Sequence, residues 1–201
     1  MVPADVATLE RASDWAQLEP EDKRQRLLDI ATRLFILHGL DVPMPAVASA
    51  AGIGVGSLYR AFPSKEDLIA AIVVAQMDVL RAEVTKAHRD ENAGEALDRT
   101  IRQLVDRQAT NKLVRAALAA TSERRDVQVA RAEVSLAWQE LLDRARSQGS
   151  IRSDSTVSDL RLIFAASAAA DEVEAGARQR MVDLLLEAMR GTGQEAPIAG
   201  E

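Results

Sequence analysis

The stretch that most limits how this chain can fold is MPAVASAAGIGVGSLYRAFPSKEDL, residues 44–68. Val47, Ala48 and Ala51 recur at helical spacing, and Gly52 follows where a residue free to take positive φ ends a helix. Ile53 then fills the turn. Gly54 stands at the N-cap of a second helix, a position glycine accepts although it caps less well than Ser or Thr. Leu58 and Phe62, spaced i and i+4, face inward and leave Val55, Ser57, Tyr59, Arg60 and Ala61 on the outside. Pro63 breaks that helix, and Ser64 with Asp67 forms a capping box that starts the next one at Lys65. Two short helices around a glycine turn make a helix-turn-helix, whose second helix is built to lie in the major groove of DNA. Ahead of it, residues 24–40 read as a helix with Leu27, Leu28, Ala31, Leu34 and Phe35 on one face and Gly39 near its end.

The residue types suit that use. A helix entering the groove end-first needs a slim first turn, and Gly54, Val55, Gly56 and Ser57 are all small. The hydroxyls of Ser57 and Tyr59 can donate to phosphate oxygens, and Lys65 stands in the first turn of the following helix, where its ammonium and the helix amides both favour a phosphate. Arg60 is the candidate reader of a base edge, because a guanidinium bonds bidentately to guanine. Met44, at the start of the first of the two helices, completes the candidate DNA-binding set. A packing role for Tyr59 and a solvated charge at Arg60 are the competing readings. The chain is acidic overall, at net charge -6, so any nucleic-acid contact must be local. Between residues 23 and 65 the basic residues Lys23, Arg24, Arg26, Arg33, Arg60 and Lys65 face only Asp29 and Asp41. Lys23, Arg24 and Arg26 could approach a DNA backbone or simply be a solvated helix face.

Residues 44–68 resemble the tetracycline-repressor (TetR) family of transcriptional regulators, whose signature is an Ala-Gly-Val/Ile turn, Gly-Ser/Thr-Leu-Tyr, and Phe-x-Ser-Lys-Glu-x-Leu. It stands here as Ala51-Gly52-Ile53, Gly56-Ser57-Leu58-Tyr59 and Phe62-Pro63-Ser64-Lys65-Glu66-Asp67-Leu68. The helix over residues 24–40 fits the family too, and with it the resemblance covers about the first third of the chain. Two departures stand out. Ala61 replaces the His or other large residue common there, and Val42-Pro43-Met44-Pro45 replaces a Thr-Thr pair followed by a polar or basic residue, which puts phosphate contacts from that helix start in question.

Beyond Leu68 the chain reads as helix almost throughout, with no strand pattern. Helices are expected over 65–88 with Leu68, Ile72, Ala75 and Val79 on one stripe, then over 96–110, 112–120, 127–148, 158–170 and 174–190. The fold class is therefore all-α with about nine helices. The expected organisation is a leader over 1–20 and a three-helix DNA-binding domain over 21–68, then a helical-bundle ligand-binding and dimerisation domain over 69–190 and a loose tail over 191–201. What the resemblance implies is a homodimer that binds a palindromic operator and is released by a small-molecule inducer, usually as a repressor. It also implies that the last two helices pair with their twins, placing Phe164, Ala166, Ala169, Ala170, Met181 and Leu185 at the dimer interface; an internal core explains the same residues. Candidate ligand-lining positions are Met77, Leu104, Gln108, Trp138 and Phe164, each also explicable as plain core. With aromatics at 3% of the chain, a mainly aliphatic or modest-sized ligand is favoured.

Other classes lack their residues. There is no Cys, and His38 and His88 are far apart, so no thiolate metal site exists and no metal or cofactor is expected. Gly52-Ile53-Gly54-Val55-Gly56 has neither a preceding strand nor a P-loop lysine, and no nucleophile and base stand together, so the chain does not read as an enzyme. No apolar run is long enough to span a membrane and the N-terminus lacks an apolar signal core, so a cytoplasmic protein is expected. A helical protein-interaction module without DNA binding is the remaining alternative.

Overall fold

In the computed structural model, the described residues are 15, 18–109, 112–174 and 176–190, with the side chains of 108–109, 112–115 and 171–172 excepted. Most of the expected leader and all of the expected tail lie outside them. Among the described residues the chain forms nine α-helices: α1 (Pro20–His38), α2 (Met44–Ala50), α3 (Val55–Ala61), α4 (Lys65–His88), α5 (Ala93–Ala109), α6 (Lys112–Ala120), α7 (Arg125–Ser147), α8 (Val157–Val173) and α9 (Ala177–Met189). The extended pairing described is a single antiparallel bridge between Ile151 and Arg190.

The helix ends follow local chemistry. α1 begins at Pro20 rather than near residue 24, because proline suits the first turn where its missing N–H costs nothing. Gly39, at φ 79°, turns the chain out of the helix after its N–H makes a last bond to the Phe35 carbonyl. α5 begins at Ala93 rather than 96. Its Gly94, which reads as a break, lies instead inside the first turn, where a Cβ would come within 2.4 Å of the Ser150 Cβ. Thr156 and Asp159 cap α8 reciprocally: the Asp159 carboxylate accepts the Thr156 N–H at 2.6 Å. The expected stripe on α4 fails at Val79, which is exposed; Val73 and Val84 are buried in its stead.

Contacts divide the chain into two compact units, one of residues 1–76 with 111–128, the other of 77–110 with 129–201. The divisions therefore fall inside α4 and α7. In the first unit, Leu27, Leu34 and Phe35 of α1, Val47 and Ala48 of α2, Leu58 of α3 and Leu68 of α4 are buried together with Phe62. In the second, one apolar cluster gathers Leu97, Ile101 and Val105 from α5, Trp138, Leu141 and Leu142 from α7, Leu160 and Ile163 from α8, and Val182 and Leu186 from α9. α8 and α9 make the most extensive helix pair. Buried hydroxyls within α5 and α8 are satisfied by the preceding turn: Thr100 donates to the Ala96 carbonyl at 2.7 Å and Ser167 to that of Ile163 at 2.6 Å.

Candidate nucleic-acid interface

The turn between α2 and α3 is closed by backbone alone. Ile53 N–H bonds to the Ala48 carbonyl at 3.0 Å and Gly52 N–H to that of Ser49 at 3.1 Å, the paired bonds of a Schellman ending, with Gly52 at φ 67°. A Cβ at position 52 would be strained in that conformation. Gly54 then caps α3 without a side-chain bond, and the α3 axis is anchored by Leu58 at 0% exposure. What remains outward is Val55, Tyr59 at 43%, Arg60 and Ala61, with Ser57 half-buried. Gly54 and Gly56 have no heavy atom within 4 Å of where a Cβ would stand, so nothing within the chain requires glycine there.

Arg60 lies along this face rather than away from it: its Nη2 donates to the Ser57 hydroxyl oxygen at 2.8 Å. At the start of α4, Ser64 and Asp67 cap reciprocally. The Ser64 N–H and hydroxyl both donate to Asp67 Oδ2, at 3.0 and 2.7 Å, while the Asp67 N–H donates to Ser64 Oγ at 3.0 Å. Those Ser64 bonds, and then the Arg124 guanidinium 2.9 Å from Oδ1, hold the Asp67 carboxyl below its ordinary range. Lys65, half-buried, is thereby fixed at the first residue of α4.

Gly54, Val55, Gly56, Ser57, Tyr59, Arg60 and Lys65 thus fall on the continuous segment from the α3 cap to the α4 start. Met44 does not join them. It is 4% exposed, and a side chain buried in the core cannot reach a phosphate, so it is withdrawn as a DNA contact. Among the described residues, none of the ion pairs found involves Lys23, Arg24, Arg33, Arg60 or Lys65.

The other candidate positions separate. Met77, Leu104, Trp138 and Phe164 all belong to or pack against the second unit's cluster, with the Trp138 and Phe164 rings 6.2 Å apart; the Gln108 side chain lies outside the described residues. Of the expected dimer residues, Ala169 is exposed and Ala166, Met181 and Leu185 are half-buried. Phe164, like Leu185, is partly buried against its own core, and Ala170 is 5% exposed, so Ala170 is corrected to internal packing. The exposed stripe runs one step round the helix instead, through Leu162, Ala165, Ala169 and Val173 on α8 and Leu184 and Ala188 on α9. Leu162 and Ala188 also line one shallow groove with Leu185. Sequence reading did not single out the exposed Leu162 and Leu184, because each stands in a run of apolar residues, Leu160 to Phe164 broken only by Arg161 and Leu184 to Leu186, that gives no periodic sign of which side meets its own chain.

No group of three or more His, Asp or Glu side chains is placed to hold a metal among the described residues, and no described helix is long and apolar enough to cross a membrane.

Residues 27–72 match the family model described as bacterial regulatory proteins, tetR family, and residues 92–191 that of the SbtR-like transcriptional regulator C-terminal domain. A TetR transcriptional regulator of Streptomyces coelicolor is similar in structure, at TM-score 0.63 and 30% identity over 84% of this chain and 99% of that one. A TetR transcription regulatory protein of Mycobacterium vanbaalenii gives TM-score 0.64 and 26% identity over 89% and 98%. Thermus thermophilus FadR, a TetR-family repressor solved with lauroyl-CoA, shares the fold at TM-score 0.55 and 22% identity over 89% and 100%. Among curated proteins, an HTH-type transcriptional regulator of Staphylococcus aureus is 36% identical over 62 residues, 30% of this chain, so the match spans about a third, 34%, of that relative's length. Carrying the signature helix-turn-helix on α2 and α3, ahead of a helical C-terminal region that matches a regulator model of its own, the chain belongs to the TetR family of transcriptional regulators.

Proposed function

We propose that the chain is a cytoplasmic repressor that binds a palindromic operator as a homodimer and is released by a small-molecule inducer. The observation that carries this reading is the outward face of α3: small, hydroxyl-bearing and cationic, on a helix anchored by the buried Leu58, with no carboxylate found paired to its arginine. Gly54, Val55, Gly56 and Ser57 would let the helix seat closely. Ser57, Tyr59 and Lys65 would hold phosphates and Arg60 would read a guanine. Two such helices must stand about one DNA turn, ~34 Å, apart, which needs a symmetric dimer. The exposed stripe of Leu162, Ala169, Val173 and Leu184 supports placing the two-fold axis against α8 and α9.

The inducer is placed at the apolar cluster around Met77, Leu104, Trp138 and Phe164, where its entry would displace side chains that now pack on one another. α4 and α7 contribute residues to both compact units, which favours them as the levers that would alter the half-site spacing. A coupling of about 1–3 kcal/mol would suffice, since it changes operator affinity roughly 5- to 150-fold.

The test is binding to promoter duplexes across salt concentrations, combined with sedimentation. Steep loss of affinity with salt and a dimer at micromolar concentration are expected. Salt-insensitive association with another protein and none with DNA would replace this reading with that of an interaction module.

A further inference from the structure

The guanidinium carbon of Arg24, on the second turn of α1, lies 4.6 Å from the centroid of the Phe62 ring. Phe62 is 1% exposed and is the residue at which α3 stops, its N–H bonded to the Leu58 carbonyl at 2.8 Å. The ring is therefore held by the core below and by the helix end beside it, and it offers Arg24 a fixed face. Elsewhere the protein secures arginines differently: Arg99, Arg107, Arg124 and Arg152 are all held by carboxylates. The distinction matters chemically. A carboxylate fixes a guanidinium by cancelling its charge and occupying its N–H groups, whereas an aromatic face attracts the cation through its quadrupole and leaves both charge and in-plane donors intact.

Nearby acids do not offset it. Asp29 accepts from Gln25 at 3.0 Å, Asp67 is taken by Ser64 and Arg124, and among the described residues no ion pair is found between Arg24 and Glu21 or Asp22 of the first turn of α1. A positioned, uncompensated planar cation, resting on the residue that joins Arg60 to the Lys65 helix start, suits an anion with paired oxygens. We propose that Arg24 is a DNA-backbone contact, its guanidinium held by the Phe62 ring so that its edge meets a phosphodiester of the strand engaged by α3. This rests on the DNA-binding reading above and adds to it a contact from α1 and a positioning role for Phe62.

The test uses the full-length protein and a short mixed-sequence duplex, so that no operator need be known. Affinity is measured between about 50 and 200 mM salt for the wild type, Arg24→Gln and Arg24→Lys, with a thermal melt on each. Arg24→Gln should lower the slope of log affinity against log salt by about one, an affinity loss three- to four-fold smaller across that range than the wild type shows. Arg24→Lys keeps the charge and should keep the slope while binding more weakly, because an ammonium lacks the flat stacking face. If Arg24 served folding alone, the melts would move and the slopes would not. A wild-type slope in Arg24→Gln overturns the assignment of Arg24 and leaves the DNA reading standing; a wild type indifferent to salt overturns both.

Discussion

Arg60 and Arg152 are both exposed cations, yet the chain treats them in opposite ways. Arg152 donates twice to Asp154, at 3.0 and 2.6 Å, and the Asp154 carboxyl is held below its ordinary range by that guanidinium. Arg60 touches only the Ser57 hydroxyl. The same contrast recurs elsewhere: Arg99 pairs with Asp90, Arg102 with Asp98 and Asp183, and Arg107 with Glu83, while among the described residues no ion pair is found for Lys23, Arg24, Arg33, Arg60 or Lys65. Several arginines of the bundle thus have their charge paired within the chain, whereas Arg60 keeps its charge without a carboxylate. That explains how a protein of net charge -6 can still present a cationic surface to DNA.

The contrast has meaning only if two helix-turn-helix units act together, so its largest test is the dimer. Leu184 is 61% exposed in the single chain, and Leu184→Glu should leave the fold within the small range typical of surface changes. Buried at a two-fold axis, the charge would occur twice without a counter-charge. The expected result is monomer by sedimentation at micromolar concentration, unchanged helical content, and loss of operator binding. Ala169→Leu, which forces methylenes into a close helix crossing, should act in the same direction. A dimer that still binds DNA would place the interface elsewhere.

Next in size is the base reader. Arg60→Ala should cost about 1–3 kcal/mol at one base pair of each half-site and leave other positions unchanged, if its guanidinium bonds a guanine edge. Competition with operators mutated one pair at a time measures this. Equal loss on every sequence would turn Arg60 into a backbone contact and erase its distinction from Lys65.

Lys65→Ala sharpens the comparison directly when set beside Arg152→Ala. Removing the lysine should weaken binding almost uniformly over sequences and lower the salt slope by about one, with Tyr59→Phe weakening it uniformly at unchanged slope. Removing the paired arginine should leave the slope where it was, because its charge is already balanced. Equal slopes for the two variants would show that internal pairing does not decide which cations meet DNA.

How much of this was legible in the sequence depended on whether the deciding contact was local. Gly52, Gly54, Leu58, Phe62 and the Ser64–Asp67 box act within a few residues of themselves, and the structure places each in the role its spacing gave it. α4 and α6 likewise begin and end at the residues expected. Errors arose where a distant element decides. Gly94 is a close approach to Ser150, Val79 loses its core partners part-way along α4, and Ala170 is claimed by its own chain. The grouping of residues 111–128 with 1–76 follows contacts across the chain, whereas the expected division after residue 68 follows sequence motifs. Met44 failed for a nearer reason, since its place at a helix start says nothing about which way the side chain turns.

The clearest case of such a distant contact is Arg124, just before α7, which joins Asp67 at 2.9 Å and Asp126 at 3.0 Å across a gap of 57 residues on the first side. It belongs to the first compact unit yet behaves as the bundle's arginines do, fully engaged by carboxylates, and so it should matter for stability and not for DNA. Ser64 bonding first and Arg124 second lower the Asp67 carboxyl, and Arg124 is the main cause for Asp126. A carboxyl lowered in the folded state contributes stability that is present above its unfolded value, near 3.8, and is lost as pH falls through the lower folded value. The Arg124, Asp67 and Asp126 side chains are about a third to a half exposed, so screening keeps the effect small. Arg124→Ala should therefore melt slightly below the wild type at neutral pH, and the two melting curves should converge as the pH drops beneath the ordinary carboxylate range. Its salt slope on duplex DNA should match that of the wild type. A melting difference that persists undiminished in acid would mean that Arg124 stabilises through packing of its stem rather than through these two carboxylates. A changed salt slope would place Arg124 among the cations that meet DNA.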